Sequence, residues 1–250
     1  MARHCFYFVA IGGHYQRLTR LAVESLYLRG YAGDVLIVTD GAPWNHDHVP
    51  PGRVAYRAAP AGLDDFAAKR LKPTTAMAFA GSGYDAVMFL DSDILAMSDP
   101  TPLMDRVAAD PGHLYAAYTS NRRLMATTLA VLPGVTDADR ERYRDQQMVD
   151  SYAVGFVPNA ASMALMAAWD HANGTVIDAA KYRSDCHGLN YALLRSGRLA
   201  DVVFMPEAER LNGRPSPGTV LAHYVYGQWV KMPAVHAAIV AEVERERGAA

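Results

Sequence analysis

The chain has 250 residues, with 24 Lys and Arg against 26 Asp and Glu and a formal net charge of −2. No long block of one sign occurs, so nothing points to a nucleic acid or another polyanion as partner. Its two cysteines, Cys5 and Cys186, exclude a disulfide framework or a zinc-ligand spacing, and no apolar run reaches the ~20 residues of a membrane span. The N-terminal apolar run is too short for a signal peptide, so a soluble, cytoplasmic protein is expected. With no internal repeat or low-complexity linker, one domain over residues 1–250 is the economical reading.

Cys5 to Ile11 reads as a buried strand, and Gly12-Gly13-His14-Tyr15 as the loop after it. From Gln16 to Arg29, Leu18, Leu21, Ala22, Ser25, Leu26 and Leu28 fall near helical spacing, and Gly30 closes the helix. Val35 to Thr39 is a second strand, ending at Asp40-Gly41. The resulting βαβ unit opens a helix N-terminus, where anions bind readily. Val54-Ala-Tyr56 suggests a short third strand. Asp64 to Phe79 reads as a helix bent or interrupted at Pro73, carrying Lys69, Arg70 and Lys72. Val87 to Leu90, entered from Gly81-Ser-Gly83, is a short buried strand, and Asp91 and Asp93 follow at once. Pro100 to Asp105 opens a short helix, and His113 to Tyr118 is a strand. The polar, charged stretch from Ser120 to Asp150 reads as a solvated helix, with a mobile lid as the alternative. Tyr152 to Val157 is a strand and Ser162 to His171 a helix. Asp185 to Arg195 is a helix with Asp185, Cys186 and His187 in its first turn. Strands at Val202 to Met205 and Val220 to Tyr224 precede an amphipathic helix from Pro233.

The strand ending at Asp91 organises the rest. Ligands of α/β sheets gather beyond the carboxyl ends of the strands, and two carboxylates one residue apart at a bending strand end can reach one divalent cation. Taken alone, the same pair also suits a capped turn with a solvated second carboxylate. His223, ending a late strand, offers a nitrogen ligand, and the mixed oxygen and nitrogen set suits Mn²⁺ better than Ca²⁺.

Five segments in this order resemble the glycosyltransferases of the GT-A fold, most closely family 8, the glycogenin and galactosyltransferase-like group. Tyr84-Asp-Ala-Val-Met-Phe-Leu-Asp-Ser-Asp-Ile is similar to that family's strand ending in Asp-x-Asp, and Phe8-Val-Ala-Ile-Gly-Gly-His-Tyr15 to its first nucleotide loop. The resemblance implies a Rossmann-like mixed central sheet flanked by helices, Mn²⁺ (or Mg²⁺) as cofactor, and a nucleotide-sugar donor, UDP-sugar being the first choice. It implies Tyr15 stacked on the base, with Ala10, Ile11, Gly12 and Asp40 lining the pocket. Asp91 and Asp93 would hold the metal, with Ser92 between them at the donor. Lys72 is similar to the family's donor-binding basic residue, Lys69 and Arg70 competing for that role. Asp185-Cys-His-Gly-Leu-Asn190 is similar to its Asp-Gln-x-x-Leu-Asn motif facing the reacting sugar, which makes Asp185, Cys186 and Lys72 the catalytic candidates. His223 with Gly227 and Lys231 resembles its His-x-x-Gly-x-x-Lys segment, where His completes the metal shell and Lys meets the diphosphate. Residues 1–119 would then form the donor half, 120–232 the acceptor-binding and metal-completing half, and 233–250 a terminal helix and tail.

The expected reaction moves a sugar to a small-molecule or saccharide hydroxyl with retention of anomeric configuration. Three departures bear on it: Cys186 replaces the family's Gln, Ala153-Val-Gly155 replaces Asn-x-Gly, and the last motif is stretched. Cys186 reads as a packing residue rather than a nucleophile. Asp150, Asp178 and Asp185 would suit a cationic acceptor of aminoglycoside type. The alternatives are a sugar-phosphate nucleotidyltransferase, on the likeness of Gly12-Gly13-His-Tyr-Gln-Arg17-Leu18 to a phosphate loop, and a nucleotide-sugar binding protein without catalysis. The helix from Pro233 is expected to pack on the core, with closure of the donor site or a homodimer contact as alternatives.

Overall fold

The computed structural model describes residues 2–118, 132–177, 184–210, 215–225 and 227–249. Asp178, Lys181 and the first part of the polar stretch read as a solvated helix or, alternatively, a lid lie outside these residues. Ten strands and seven α-helices are described: β1 (His4–Ala10), α1 (Gly13–Leu28), β2 (Asp34–Thr39), β3 (Val54–Ala58), α2 (Asp65–Met77), β4 (Ala86–Leu90), β5 (Ile94–Ala96), α3 (Thr101–Ala109), β6 (Leu114–Tyr118), α4 (Asp137–Tyr143), β7 (Val149–Phe156), α5 (Ala160–His171), α6 (Asp185–Arg195), β8 (Val202–Phe204), β9 (Ala208–Arg210), β10 (Leu221–His223) and α7 (Met232–Gly248).

Seven strands form a mixed, mostly parallel sheet in the order β3-β2-β1-β4-β7-β6-β8, and β5-β10-β9 form a small second sheet. Within the large sheet only β7 runs against the others. Helices cover both faces, which is why β1 and β4 are apolar at almost every position. Cys5 and Tyr7 on one face of β1 pack with Phe66 of α2 and with Met166, Trp169 and Leu193 of α5 and α6. Phe6 and Phe8 on the other face pack with Ala22, Val23 and Leu26 of α1 and with Leu103 and Met104 of α3. The period of two along one strand thus feeds two separate cores.

Two sequence expectations shift. α1 begins at Gly13 rather than Gln16, because the Asp40 carboxylate accepts from the Gly12 amide and from Gln16 Nε2, both at 2.9 Å, and pins the turn. α2 is not interrupted at Pro73: its buried face, Lys72, Pro73, Thr75 and Ala76, continues across the proline, and the Asp64 side chain caps its start by accepting from the Phe66 and Ala67 amides. The solvated helix expected in the polar stretch is α4, closed at its start by a Thr136/Asp139 capping box. α7 buries Met232, His236, Ile239 and Val243 at helical spacing, and Ile239 and Val243 pack with Leu28 of α1. Among the described residues no helix is long and apolar enough to cross a membrane.

Candidate metal centre

Parallel pairing of β2, β1 and β4 brings Asp40, the Ile11-Gly12 turn and Asp91 to one edge of the sheet. Because β7 runs the other way, its beginning, with Asp150 and Ser151, comes to that same edge. The chain then bends after Leu90. Asp91 donates its amide to the Tyr152 carbonyl at 2.8 Å, and the Asp93 carbonyl accepts from the Tyr224 amide at 2.8 Å. Ser92 turns inward and is buried, accepting from Thr19 Oγ1 at 2.8 Å, so its hydroxyl ties α1 to the strand end and leaves Asp91 and Asp93 on the other side.

β5 pairs antiparallel with β10, placing Ile94 opposite His223. This register delivers the imidazole to the two carboxylates: His223 Nε2 stands 3.2 Å from Asp93 Oδ1. One ligand atom from each of Asp91, Asp93 and His223 lies within 4.8 Å of the others, the sole such group among the described residues. The His223 ring packs on Tyr152, with centroids 4.1 Å apart, and its Nδ1 is buried without a hydrogen-bond partner. An imidazole nitrogen 3.2 Å from one of two converging carboxylates gives a mixed oxygen and nitrogen donor set that could hold a metal ion.

Lys72 is committed to the same edge. Its ammonium lies 2.7 Å from Asp91 Oδ1 and 2.5 Å from Asp185 Oδ2, over the face of Phe89. Burial works against the lysine's charge, but the two carboxylates outweigh it and raise its pKa. Asp185 is likewise opposed by burial, yet Lys72, with Lys69 and the Ser151 hydroxyl, holds its carboxyl below the usual range. Asp91 is pushed up to about 6, first by burial, with Asp93 and Asp185 adding and Lys72 opposing. Asp91 and Asp185 therefore share one lysine, with Asp93 adding its charge beside Asp91, and a further cation would relieve the mutual repulsion of the three.

α6 brings Asp185 here because Asn190 clamps it to β7. The Asn190 amide donates to the Val149 and Cys186 carbonyls, both at 2.7 Å, while its oxygen accepts from the Val149 amide at 3.1 Å. Trp169 Nε1 donates to the Asp185 carbonyl at 3.0 Å. Cys186 donates its thiol to Asp150 at 3.1 Å, and burial together with Asp150 and Asp185 pushes its pKa well up. The thiol is therefore held protonated, as a packing group.

The remaining predicted site residues separate. Ala10 is buried at the end of β1, Gly12 has φ 82°, and Tyr15 stands 49% exposed on the first turn of α1. Arg70 makes a two-pronged pair with Asp170 at 3.0 and 3.1 Å, joining α2 to α5 and leaving the carboxylate cluster to Lys72. Gly227, at φ 82°, starts a 3₁₀ turn whose exposed Lys231 donates to Gln228 Oε1 at 2.8 Å. Ser151, which donates to Asp185 at 2.8 Å, and Tyr152, against His223, were not anticipated. Both lie inside an apolar strand pattern that carries no local signal of a site. No family model matches the chain, and no curated protein matches it.

Proposed function

We propose that the protein is a metal-dependent glycosyltransferase of GT-A type that takes its sugar from a nucleoside diphosphate donor, UDP being the first nucleotide to test. The convergence of Asp91, Asp93 and His223, the last from a strand far along the chain, carries the reading. A divalent cation bound there would supply positive charge for a departing diphosphate. The chain's own groups fit around that task. Asp40 fixes the turn after β1, where the nucleotide would lie, by accepting from the Gly12 amide. Lys72 holds the Asp91 and Asp185 carboxylates in place, so Asp185 keeps its charge beside the cluster. Asp185, whose Oδ2 is taken by Lys72 and Ser151, would turn its Oδ1 to sugar or acceptor hydroxyls, and the exposed Lys231 would exchange its bond to Gln228 for phosphate oxygens.

The test is thermal stability with UDP, GDP, CDP and dTDP in turn, with and without Mn²⁺, in the wild type and in Asp93→Asn. A ligand at about a hundred times its dissociation constant adds roughly 2.7 kcal/mol. Mn²⁺-dependent stabilisation by one diphosphate, lost in the variant, is the expected result, followed by release of that diphosphate when donor and acceptor are supplied. Absence of any nucleotide effect on the folded protein would return Asp91 and Asp93 to the role of turn carboxylates. Pyrophosphate release would instead identify nucleotidyl transfer.

A further inference from the structure

A cavity of about 800 Å³ lies between α1 and α7, and none of Asp91, Asp93, His223, Lys72 or Asp185 lines it. Its volume is that of a small-molecule site. The walls are apolar along Leu21 and Val240, with Trp229 and Val230 at one end, and Val230 is left 71% exposed.

The polar end is built around Glu24, only 3% exposed. Its Oε1 is well supplied, accepting from Arg20 Nε at 3.0 Å and from the Asp47 amide at 3.2 Å, with His46 Nδ1 at 3.7 Å. Its Oε2 stands 3.4 Å from His236 Nε2, without hydrogen-bond geometry. His236 is itself more than nine-tenths buried, lines the cavity, and leaves that nitrogen unpartnered. Burial lowers the His236 pKa, so the ring stays neutral and does not cancel the Glu24 charge. Glu24, Asp47 and Glu244 face Arg17 and Arg20 around the cavity, which leaves one net negative charge, with His14 and His48 completing the titratable wall. A buried imidazole nitrogen without a partner beside the Glu24 carboxylate, in a pocket of net negative charge with apolar sides, suits a cationic donor.

We propose that this cavity binds a protonated amine carried on a compact aromatic body, the ammonium donating to Glu24 Oε2 and the ring lying along Leu21, Val240 and Trp229. The proposal is independent of what the Asp91 cluster does. The test is calorimetry on the full chain with phenethylamine and tryptamine, against the neutral 2-phenylethanol and the anionic phenylacetate. The amines should bind about tenfold or more tightly than the alcohol, as expected for a hydrogen bond to a buried charge, and phenylacetate should not bind. Two variants check the location. Glu24→Gln removes the charge and should bring amine and alcohol to equal affinity. Ala237→Phe, at an exposed position on the cavity wall, fills the space without touching the core and should abolish binding even if the first variant folds poorly. Equal binding of amine and alcohol to the wild type, amine binding that survives Ala237→Phe, or no amine binding at millimolar concentration would each overturn the proposal.

Discussion

Replacing Lys72 with methionine removes one charge and keeps most of the packing over Phe89, so it isolates the ion pairs at the centre of the site. At an effective dielectric of about 20, each contact between the ammonium and a carboxylate attracts by roughly 6 kcal/mol, and burying the partners returns much of that. What the substitution leaves is two carboxylates facing each other, Asp185 with 9% of its side chain exposed and Asp91 with 28%. Breaking a buried pair in this way costs about 3–5 kcal/mol, or a melting temperature lower by roughly 6–20 °C. The pH dependence identifies the cause. In the wild type the Asp185 carboxyl lies below the ordinary 3.8 of an aspartate, so its contribution is present above that value and is lost as pH falls through the folded one; the raised Lys72 contributes below 10.5 and loses that contribution as pH rises through its folded value. Wild-type Asp91, pushed up to about 6, already gains from acidification below that value; in the variant burial and repulsion act unopposed and push both carboxyls up, so acidification relieves more strain than in the wild type. Urea unfolding in chelator should therefore show the full gap between wild type and variant at about pH 7.5 and a much smaller one at about pH 5. A gap under about 1 kcal/mol at neutral pH, or one that does not shrink on acidification, would refute the reasoning.

Gly155→Ala would place a Cβ 2.7 Å from Met88 Cε and 3.2 Å from Val107 Cγ2. The overpacking should cost about 1–3 kcal/mol in urea unfolding, the flexible Met88 end keeping it toward the lower figure. Arg70→Ala breaks only the partly exposed pair with Asp170, so stability should change by no more than about 1 kcal/mol, and Mn²⁺ affinity, read by calorimetry, should stay at the wild-type value. Burial pushes the Cys5 thiol up to about 12 and the Cys186 thiol well above 9.0. Neither should react with a thiol reagent at about pH 8 until the protein is unfolded, when both should.

The strands β1, β2 and β4 are legible because burial writes a nearly continuous apolar run, and the pairing of β1 with β2 around α1 follows from the βαβ unit, whereas the place of β4 beside β1 does not. β5 and β9, three residues each, are too short to show a period and are held by pairing with β10. The start of α1 and the continuity of α2 were missed for related reasons: Asp40 and the buried face across Pro73 act through tertiary contacts that no local window contains. In the site, Asp91 and Asp93 are visible because one strand end carries both. Their meeting with His223 depends on strand register, and the tie from Lys72 to Asp185 spans much of the chain. Cys186 was read as a packing residue from the lack of an electropositive setting, and the acidic neighbours Asp150 and Asp185 supply the reason.

The small β5-β10-β9 sheet has a consequence for how the protein is made. Asp91 and Asp93 leave the ribosome long before His223 does, so a growing chain owns the acidic half of the cluster without the imidazole that completes it. The proposed cation site is complete only after β10 has paired with β5, so on that reading cation affinity would report whether synthesis had run through residue 223 and docked it. A chain stopped short of that strand would lack the histidine that closes the cluster.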